Sequence, residues 1–227
     1  MSTPADLAGR GVLVTRPAGQ AEPLCRLIEA AGGRAIRFPT IAIEPTHDPE
    51  ATALLGESWD LLYFVSPNAV EQALALVADA GWLRVERVAA VGRGTARALE
   101  AAGRAPELVP HVRYESGRAL FAQAMTERGA EVCFAEVYRR VRPAVEVAPL
   151  LARWSEEVDF VMATSDEVLL NLAELLGQEG RARLLATPLV VIAERTAQTA
   201  RDLGFQTIRV AERADDESIV RALIALS

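Results

Sequence analysis

The chain has 227 residues, 51% of them hydrophobic and 24% charged, with a formal net charge of −7. That length suits one large domain or two of roughly 100–120 residues, with enough apolar side chain for a core that needs no disulfide or metal staple. The negative balance argues against a nucleic-acid partner, which needs a basic face to neutralise phosphates. No apolar run approaches the ~18 residues of a membrane span.

In chain order, Gly11-Val-Leu-Val-Thr15 reads as a buried strand. A helix follows from about Gln20, with Leu24, Leu27, Ile28 and Ala31 spaced three and four apart on one face and Gly32-Gly33 as its stop. Residues 35–43 read as extended, interrupted by Pro39, and a short helix covers 49–55. The strand Asp60-Leu-Leu-Tyr-Phe-Val-Ser66, a helix over 69–80, the strand 88–91 and a helix over 95–102 come next. Alternation of this kind predicts an α/β fold with a parallel sheet covered on both faces. Cys25 and Cys133 fall on a predicted helix and a predicted strand, and both are expected to be buried free thiols. His47 and His111 lie near no cysteine or paired carboxylates, so a structural zinc site lacks ligands. The opening Met1-Ser-Thr-Pro-Ala-Asp6 lacks a charged-then-apolar profile, so a soluble cytoplasmic protein is expected.

An internal repeat is the more informative feature. Asp60-Leu-Leu-Tyr-Phe-Val-Ser66 has a counterpart in Asp159-Phe-Val-Met-Ala-Thr-Ser165. Ala89-Ala-Val-Gly-Arg-Gly-Thr95-Ala96 matches Val190-Val-Ile-Ala-Glu-Arg-Thr196-Ala197, and in each copy a glycine (Gly103, Gly204) follows the threonine by eight residues, where a helix should end. Offsets of 99 and 101 residues indicate two similar domains rather than a short-period solenoid. The second copy is incomplete. Aligning Gly32 with Gly129 pairs the first helix with 117–128, and the strand that should precede it is replaced by Val109-Pro-His-Val-Arg-Tyr-Glu-Ser116. On the order of 20 residues, one helix and one strand, are missing between about Pro110 and Gly117. Either the deletion is real, or the numbering closes over residues that it omits. The second alternative is favoured here, because losing a central strand leaves a sheet with two unpaired edges.

In open α/β sheets, ligands bind where strand carboxyl ends meet helix starts, because unpaired backbone N–H groups there attract anions. The polar residues at these junctions are Thr15-Arg16, Ser66-Pro67-Asn68, Gly92-Arg93-Gly94-Thr95, Thr164-Ser165 and Glu194-Arg195-Thr196. Each alone reads as a helix cap. Together they predict an N–H-rich surface that holds several carboxylates without many cations, which reconciles a polyacid ligand with a net charge of −7. Gly92-Arg-Gly-Thr95 lacks the lysine of a phosphate loop and has too few glycines for a dinucleotide fingerprint. No GxSxG or HExxH motif occurs. Tyr138 follows a predicted apolar strand and is flanked by Arg139, Arg140 and Arg142; by itself it reads as an ordinary inter-strand aromatic.

Taken in order, these fragments resemble the uroporphyrinogen-III synthase family. The matches are Val12-Leu-Val-Thr-Arg-Pro17 with Gln20, Phe38-Pro39 leading to Ile41-Ala-Ile-Glu-Pro45, Trp59-Asp60 and Phe64-Val-Ser-Pro-Asn-Ala-Val70. They continue with Val88-Ala-Ala-Val-Gly92, Thr95-Ala96, Arg128-Gly-Ala-Glu-Val132, Val137-Tyr-Arg-Arg140, Pro143, Thr164-Ser165 and Leu203-Gly-Phe205. The departure is the strand of the Val-Leu-Ile-x-Arg-Gly type, which the family carries before its second Gly-Gly-Arg; only Gly117-Arg118 survives here.

The resemblance implies two flavodoxin-like domains joined by a two-stranded β-ladder. Residues 1–36 with 143–227 would form one domain, 45–135 the other, and 37–44 with 136–142 the connecting strands. The active cleft would lie between the domains, in a monomer that acts without a cofactor. The implied substrate is hydroxymethylbilane, a linear tetrapyrrole with eight carboxylates, cyclised with loss of water and inversion of the last ring through an azafulvene and a spiro intermediate. The pyrroles supply the electron push, so the protein folds the chain, holds carboxylates and assists departure of water. Tyr138 is the implied proton donor. Thr15, Arg16, Ser66, Pro67, Asn68, Gly92, Arg93, Thr95, Thr164, Ser165, Arg195 and Thr196 are the implied substrate contacts. A catalytically inactive tetrapyrrole- or polyacid-binding module on the same scaffold is the alternative. A phospho-acceptor receiver is disfavoured, because the strand ends carry Thr, Ser and Gly in place of an acidic cluster.

Overall fold

The computed structural model describes residues 6–77, 81, 83–109 and 117–227. The chain divides into two compact units, residues 1–42 with 141–227 and residues 43–140. In chain order the elements are β1 (Gly11–Val14), α1 (Ala18–Ala30), β2 (Arg34–Arg37), β3 (Ala42–Pro45), α2 (Pro49–Gly56), β4 (Trp59–Phe64), α3 (Pro67–Leu76), β5 (Val85–Ala90) and α4 (Arg93–Ala101). They continue with α5 (Gly117–Thr126), β6 (Tyr138–Val141), α6 (Ala148–Glu157), β7 (Phe160–Ala163), α7 (Asp166–Ala186), β8 (Leu189–Val191), α8 (Glu194–Leu203), β9 (Ile208–Val210) and α9 (Asp216–Ile224). The fold is mixed α/β, and its main sheet is parallel.

The first unit holds a five-stranded sheet in the order β2-β1-β7-β8-β9. β1 is interior, with Gly11 to Val14 in register with Arg34 to Arg37 on one side and Val12 opposite Phe160 on the other. Side chains alternate across a strand. Val12, Val14, Phe160, Met162 and Val190 meet Leu24, Cys25 and Ile28 of α1 and Ile219 and Leu223 of α9 in one cluster. The alternate residues Leu13, Val161, Leu189 and Val191 are also fully buried, so both faces of the sheet are covered. This is why the strands read as unbroken apolar runs.

The second unit carries the parallel pair β4–β5, with Trp59 opposite Val85 and Phe64 opposite Ala90, and a single parallel bridge from Ala89 to Leu108. β3 and β6 form a separate two-stranded sheet. The core of the unit gathers Leu55, Phe64, Val70, Val88, Leu99 and Val137. The repeat is visible in the backbone: Ser66 and Ser165 both precede a helix in extended conformation, and each side chain accepts the N–H three residues on. Gly103 and Gly204 follow α4 and α8 with φ of 84° and 100°, a conformation that a Cβ disfavours.

Several sequence expectations are corrected. β5 begins at Val85 rather than 88 because the polar Glu86 and Arg87 sit exposed within the ladder, where apolar periodicity gives no signal. α1 begins at Ala18 and runs through Pro23, whose ring is tolerated in the second turn. Residues 78–80, expected at the end of α3, lie outside the described residues, as do 110–116. Cys25 is buried as expected, and burial pushes its thiol upward. Cys133 is exposed, and residues 130–137 form no strand among the described residues. A strand needs a neighbour for its N–H and C=O groups, and the neighbour expected for this one is the element that the second copy lacks. Leu120 and Phe134, 52% and 58% exposed, are the consequence. The full sequence has 227 residues, so the short stretch between 110 and 117 belongs to the chain itself and the favoured alternative of omitted residues falls.

Packing around the glycines and cysteines sets two expected outcomes. A Cβ at Gly11 would lie 1.6 Å from the Glu157 carbonyl oxygen, so Gly11→Ala should cost about 2–3 kcal/mol in chemical denaturation, while Gly56→Ala, with nothing within 4 Å, should stay within about 0.5 kcal/mol. A thiol reagent should modify one cysteine per native chain, Cys133, and reach Cys25 only on unfolding; two fast-reacting thiols would contradict the buried position of Cys25.

Candidate active site

Each unit gathers polar residues at the carboxyl ends of its strands. In the first unit, β1 runs into Thr15-Arg16 before α1, and β7 into Thr164-Ser165 before α7. β8 leads to α8, where Arg195 is the second residue and Thr196 the third. Thr15 is fully buried and donates its hydroxyl to the Met162 carbonyl at 2.5 Å. Thr196 is 1% exposed, and its hydroxyl has no hydrogen-bond partner among the described residues. Thr164 and Ser165 are half-buried.

In the second unit, Ser66 precedes α3, whose first residues are Pro67 and the buried Asn68. Gly92 precedes α4, whose first residue is the exposed Arg93 and whose third is the buried Thr95. The starts of α3 and α4 lie side by side: a Cβ at Gly94 would come 3.8 Å from Pro67 Cγ. Tyr138, the first residue of β6, is half-buried, and its hydroxyl lies 2.9 Å from Ser66 Oγ. The structure thus brings Ser66, Pro67, Asn68, Gly92, Arg93, Thr95 and Tyr138 into one unit. Thr15, Arg16, Thr164, Ser165, Arg195 and Thr196 belong to the other.

The helix starts fall into two kinds. Four are closed by their own side chains: Asp48 accepts from Glu50 N–H at 3.0 Å, Ser66 from Ala69 N–H at 3.0 Å, Ser165 from Val168 N–H at 3.3 Å, and Asp215 from Ser218 N–H at 2.8 Å. Hydrogen bonds from Ser218 hold the Asp215 carboxyl below the usual aspartate range. Four others have no side-chain cap: α6 after Val147, which follows the two-stranded β3–β6 sheet, and α1 after Pro17, α4 after Gly92 and α8 after Ala193, which follow strands of the parallel sheets. The first-turn N–H groups of these last three, at the positive end of a helix dipole, are the donors best disposed to take a carboxylate.

The arginines point the same way. Arg16 pairs with Asp216 at 2.7 Å, and Arg195 with Asp166 at 3.0 Å. Asp166 and Asp216 open α7 and α9, so each acid meets both an arginine and a helix start. Sequence reasoning missed both acids, although acidic residues just after a capping Ser or Asp are a legible helix-start signal. Both guanidinium groups are thus already engaged by acids, whereas the first-turn N–H groups of α1, α4 and α8 have no side-chain cap. Two concavities lie elsewhere in the second unit. One, about 350 Å³, sits at the opposite, amino ends of β4 and β5 beside Trp59 and Arg84. The other, about 260 Å³, lies beside Tyr63, Leu108 and Phe121. Neither is lined by a predicted site residue; the first lies at the wrong strand ends for an α/β ligand site, and the second lies near the carboxyl ends of β4 and β5, beside Tyr63 and Ala89.

Comparison with known proteins bears on this arrangement. The family model described as uroporphyrinogen-III synthase HemD matches residues 22–116 and 111–221. The uroporphyrinogen-III synthase of Escherichia coli (strain K12) is 35% identical over 244 residues, covering 93% of this chain and 99% of the relative. That of Salmonella typhimurium (strain LT2) is 34% identical over 244 residues, with the same coverage. Both alignments are longer than the 227-residue chain, so gaps must open within it. The family match itself divides at residues 111–116, where the repeat is short. Among solved structures, a mutant uroporphyrinogen III synthase from the extremely thermophilic bacterium Thermus thermophilus is similar in fold, with a TM-score of 0.56 at 21% identity, over 96% of this chain and 99% of that one. On the family match and the identity over nearly the full length of both enterobacterial relatives, the chain belongs to the uroporphyrinogen-III synthase family.

Proposed function

We propose that the chain closes hydroxymethylbilane into uroporphyrinogen III with loss of water and inversion of the last pyrrole ring, a cyclising lyase reaction of tetrapyrrole and haem biosynthesis. The observation that carries the site assignment is the set of helix starts that follow parallel strands and lack side-chain caps, at α1, α4 and α8. An octacarboxylate needs many anion donors, and these supply them without lysines and with the Arg16 and Arg195 guanidinium groups already paired with acids. The strand order β2-β1-β7-β8-β9 supports reading the first unit as a flavodoxin-like, doubly wound domain. We read the second unit as a shortened copy of the same design. The two domains span residues 1–36 with 143–227 and residues 45–135, and 37–44 with 136–142 connect them. No helix among the described residues is long and apolar enough to cross a membrane. A monomeric, cytoplasmic enzyme acting on a small molecule fits this reading.

The chemistry asked of the protein is modest. The hydroxymethyl carbon loses its oxygen as water when a proton is supplied, and the adjacent pyrrole nitrogen donates the electron pair that forms the azafulvene. Tyr138 is the donor in this reading, acting as a general acid. Uncapped N–H groups hold the carboxylates so that the last ring presents its substituted carbon, leading to the spiro intermediate and the type III isomer. Thr15, Thr95 and Thr196 support these turns from inside. Thr164, Asn68, Pro67, Gly92 and Arg93 line the strand ends themselves.

The test is to supply fresh hydroxymethylbilane, oxidise the products and separate the isomers chromatographically. Type III above the spontaneous type I background is expected. Type I alone from folded protein would instead favour a binding module, and the shortened second unit is the observation that would then explain the loss. Replacing Thr15, Thr95, Thr164 or Thr196 singly by Ala should weaken turnover without abolishing it, whereas Tyr138→Phe should lower kcat about 100-fold. Abolition by one threonine change in folded protein would contradict a distributed set of anion donors.

A further inference from the structure

The serine of the first-copy repeat has a partner that its counterpart does not share. Ser66 and Ser165 cap their helices in the same way, through a hydrogen bond from the N–H three residues on. Ser66 Oγ is in addition 2.9 Å from the Tyr138 hydroxyl. A serine hydroxyl has one O–H and two lone pairs. With one lone pair engaged by Ala69 N–H at 3.0 Å, Ser66 keeps its proton available for the phenol oxygen. That arrangement leaves little reason for Ser66 to contact a substrate carboxylate, the role its position suggested.

We propose that Ser66 is a positioning residue for Tyr138: its O–H, held in place by the Ala69 N–H, donates to the phenol oxygen and turns the phenol proton toward the leaving hydroxyl. The inference rests on Tyr138 being the proton donor of the proposed reaction. In the step itself, the Tyr138 proton passes to the hydroxymethyl oxygen, the C–O bond breaks, and water departs. The pyrrole nitrogen supplies the electrons for the new double bond, and the phenolate accepts the Ser66 O–H. The proton released when the last ring regains aromaticity restores the phenol. The start of α3, a ten-residue helix with no acid in its first turn, lies directly behind Ser66 and favours negative charge on that side.

A double-mutant cycle separates this role from carboxylate binding. Ser66→Ala should lower kcat about fivefold to tenfold, the worth of one hydrogen bond, and leave KM within about twofold. Ser66→Thr, which keeps the hydroxyl, should restore most of the loss. In a Tyr138→Phe background, Ser66→Ala should change kcat no further. A rise in KM with kcat unchanged in both backgrounds would overturn the proposal in favour of a carboxylate contact, and so would kcat losses that multiply. A Tyr138→Phe variant with undiminished kcat would instead defeat the reading of Tyr138 as donor, a result distinct from either. An activity-independent measurement completes the test. The chain has three tyrosines, so tyrosine labelled at the ring Cζ gives three signals, and Tyr138→Phe assigns one of them. Ser66→Ala should shift the Tyr138 signal and leave the other two in place; an unmoved signal would show that the hydrogen bond does not form.

Discussion

The parallel ladder between β1 and β7 is the contact on which the first unit depends. β1 has four residues, all buried, and its backbone groups face β2 on one side and β7 on the other. Without β7 it would present an apolar open edge, an arrangement that folded chains avoid. Yet Val12 and Phe160 are separated by most of the chain, so residues 141–227 must return before the central ladder can close. The fit is tight where it closes. Gly11 has no room for a side chain beside Glu157, and its N–H donates to the Asp159 carboxylate at 2.7 Å. Asp159 N–H in turn donates to the Gly11 carbonyl at 2.8 Å. Long-range pairing of this kind is slow to form, because loop closure precedes its reward.

The same geometry makes the chemistry possible. Parallel strands send all their carboxyl ends one way, so within each unit successive helices begin together at one edge of that unit's own sheet. Some of those starts are closed by Ser66, Ser165 and Asp215, and others are left open after Pro17, Gly92 and Ala193. Capping residues hold the edge rigid, and open starts leave donors for anions. A protein of net charge −7 can therefore attract carboxylates locally while repelling polyanions at a distance, where salt screens the repulsion.

Much of the α/β alternation was legible because strand and helix periods differ so clearly. Leu24, Leu27 and Ile28 on one helical face, and the unbroken apolar run of 12–14, leave few alternatives. The repeat carried further information: serine and threonine recur at equivalent helix starts, and Gly103 and Gly204 recur at equivalent ends. What sequence could not supply was side-chain direction. Thr15 reads as a strand-end polar residue, but its hydroxyl turns inward to Met162. Arg16 and Arg195 read as anion ligands, but each meets an aspartate from another segment, a contact that only tertiary structure reveals. Cys133 failed for a different reason. Local apolar pattern predicted a strand, and a strand without a pairing neighbour does not form. The bond between Ser66 and Tyr138 crosses 72 residues and leaves no trace in spacing.

The most direct test of the central claim, that uncapped helix starts hold the carboxylates, is an amide titration by two-dimensional nuclear magnetic resonance with uroporphyrin III, the oxidised and unreactive octacarboxylate. The account predicts that the largest shifts fall on the first-turn N–H groups of α1, α4 and α8, at Gly19, Arg93, Gly94, Glu194 and Arg195 among them. Shifts confined to the concavities beside Trp59 or Tyr63, with the helix starts unmoved, would contradict it.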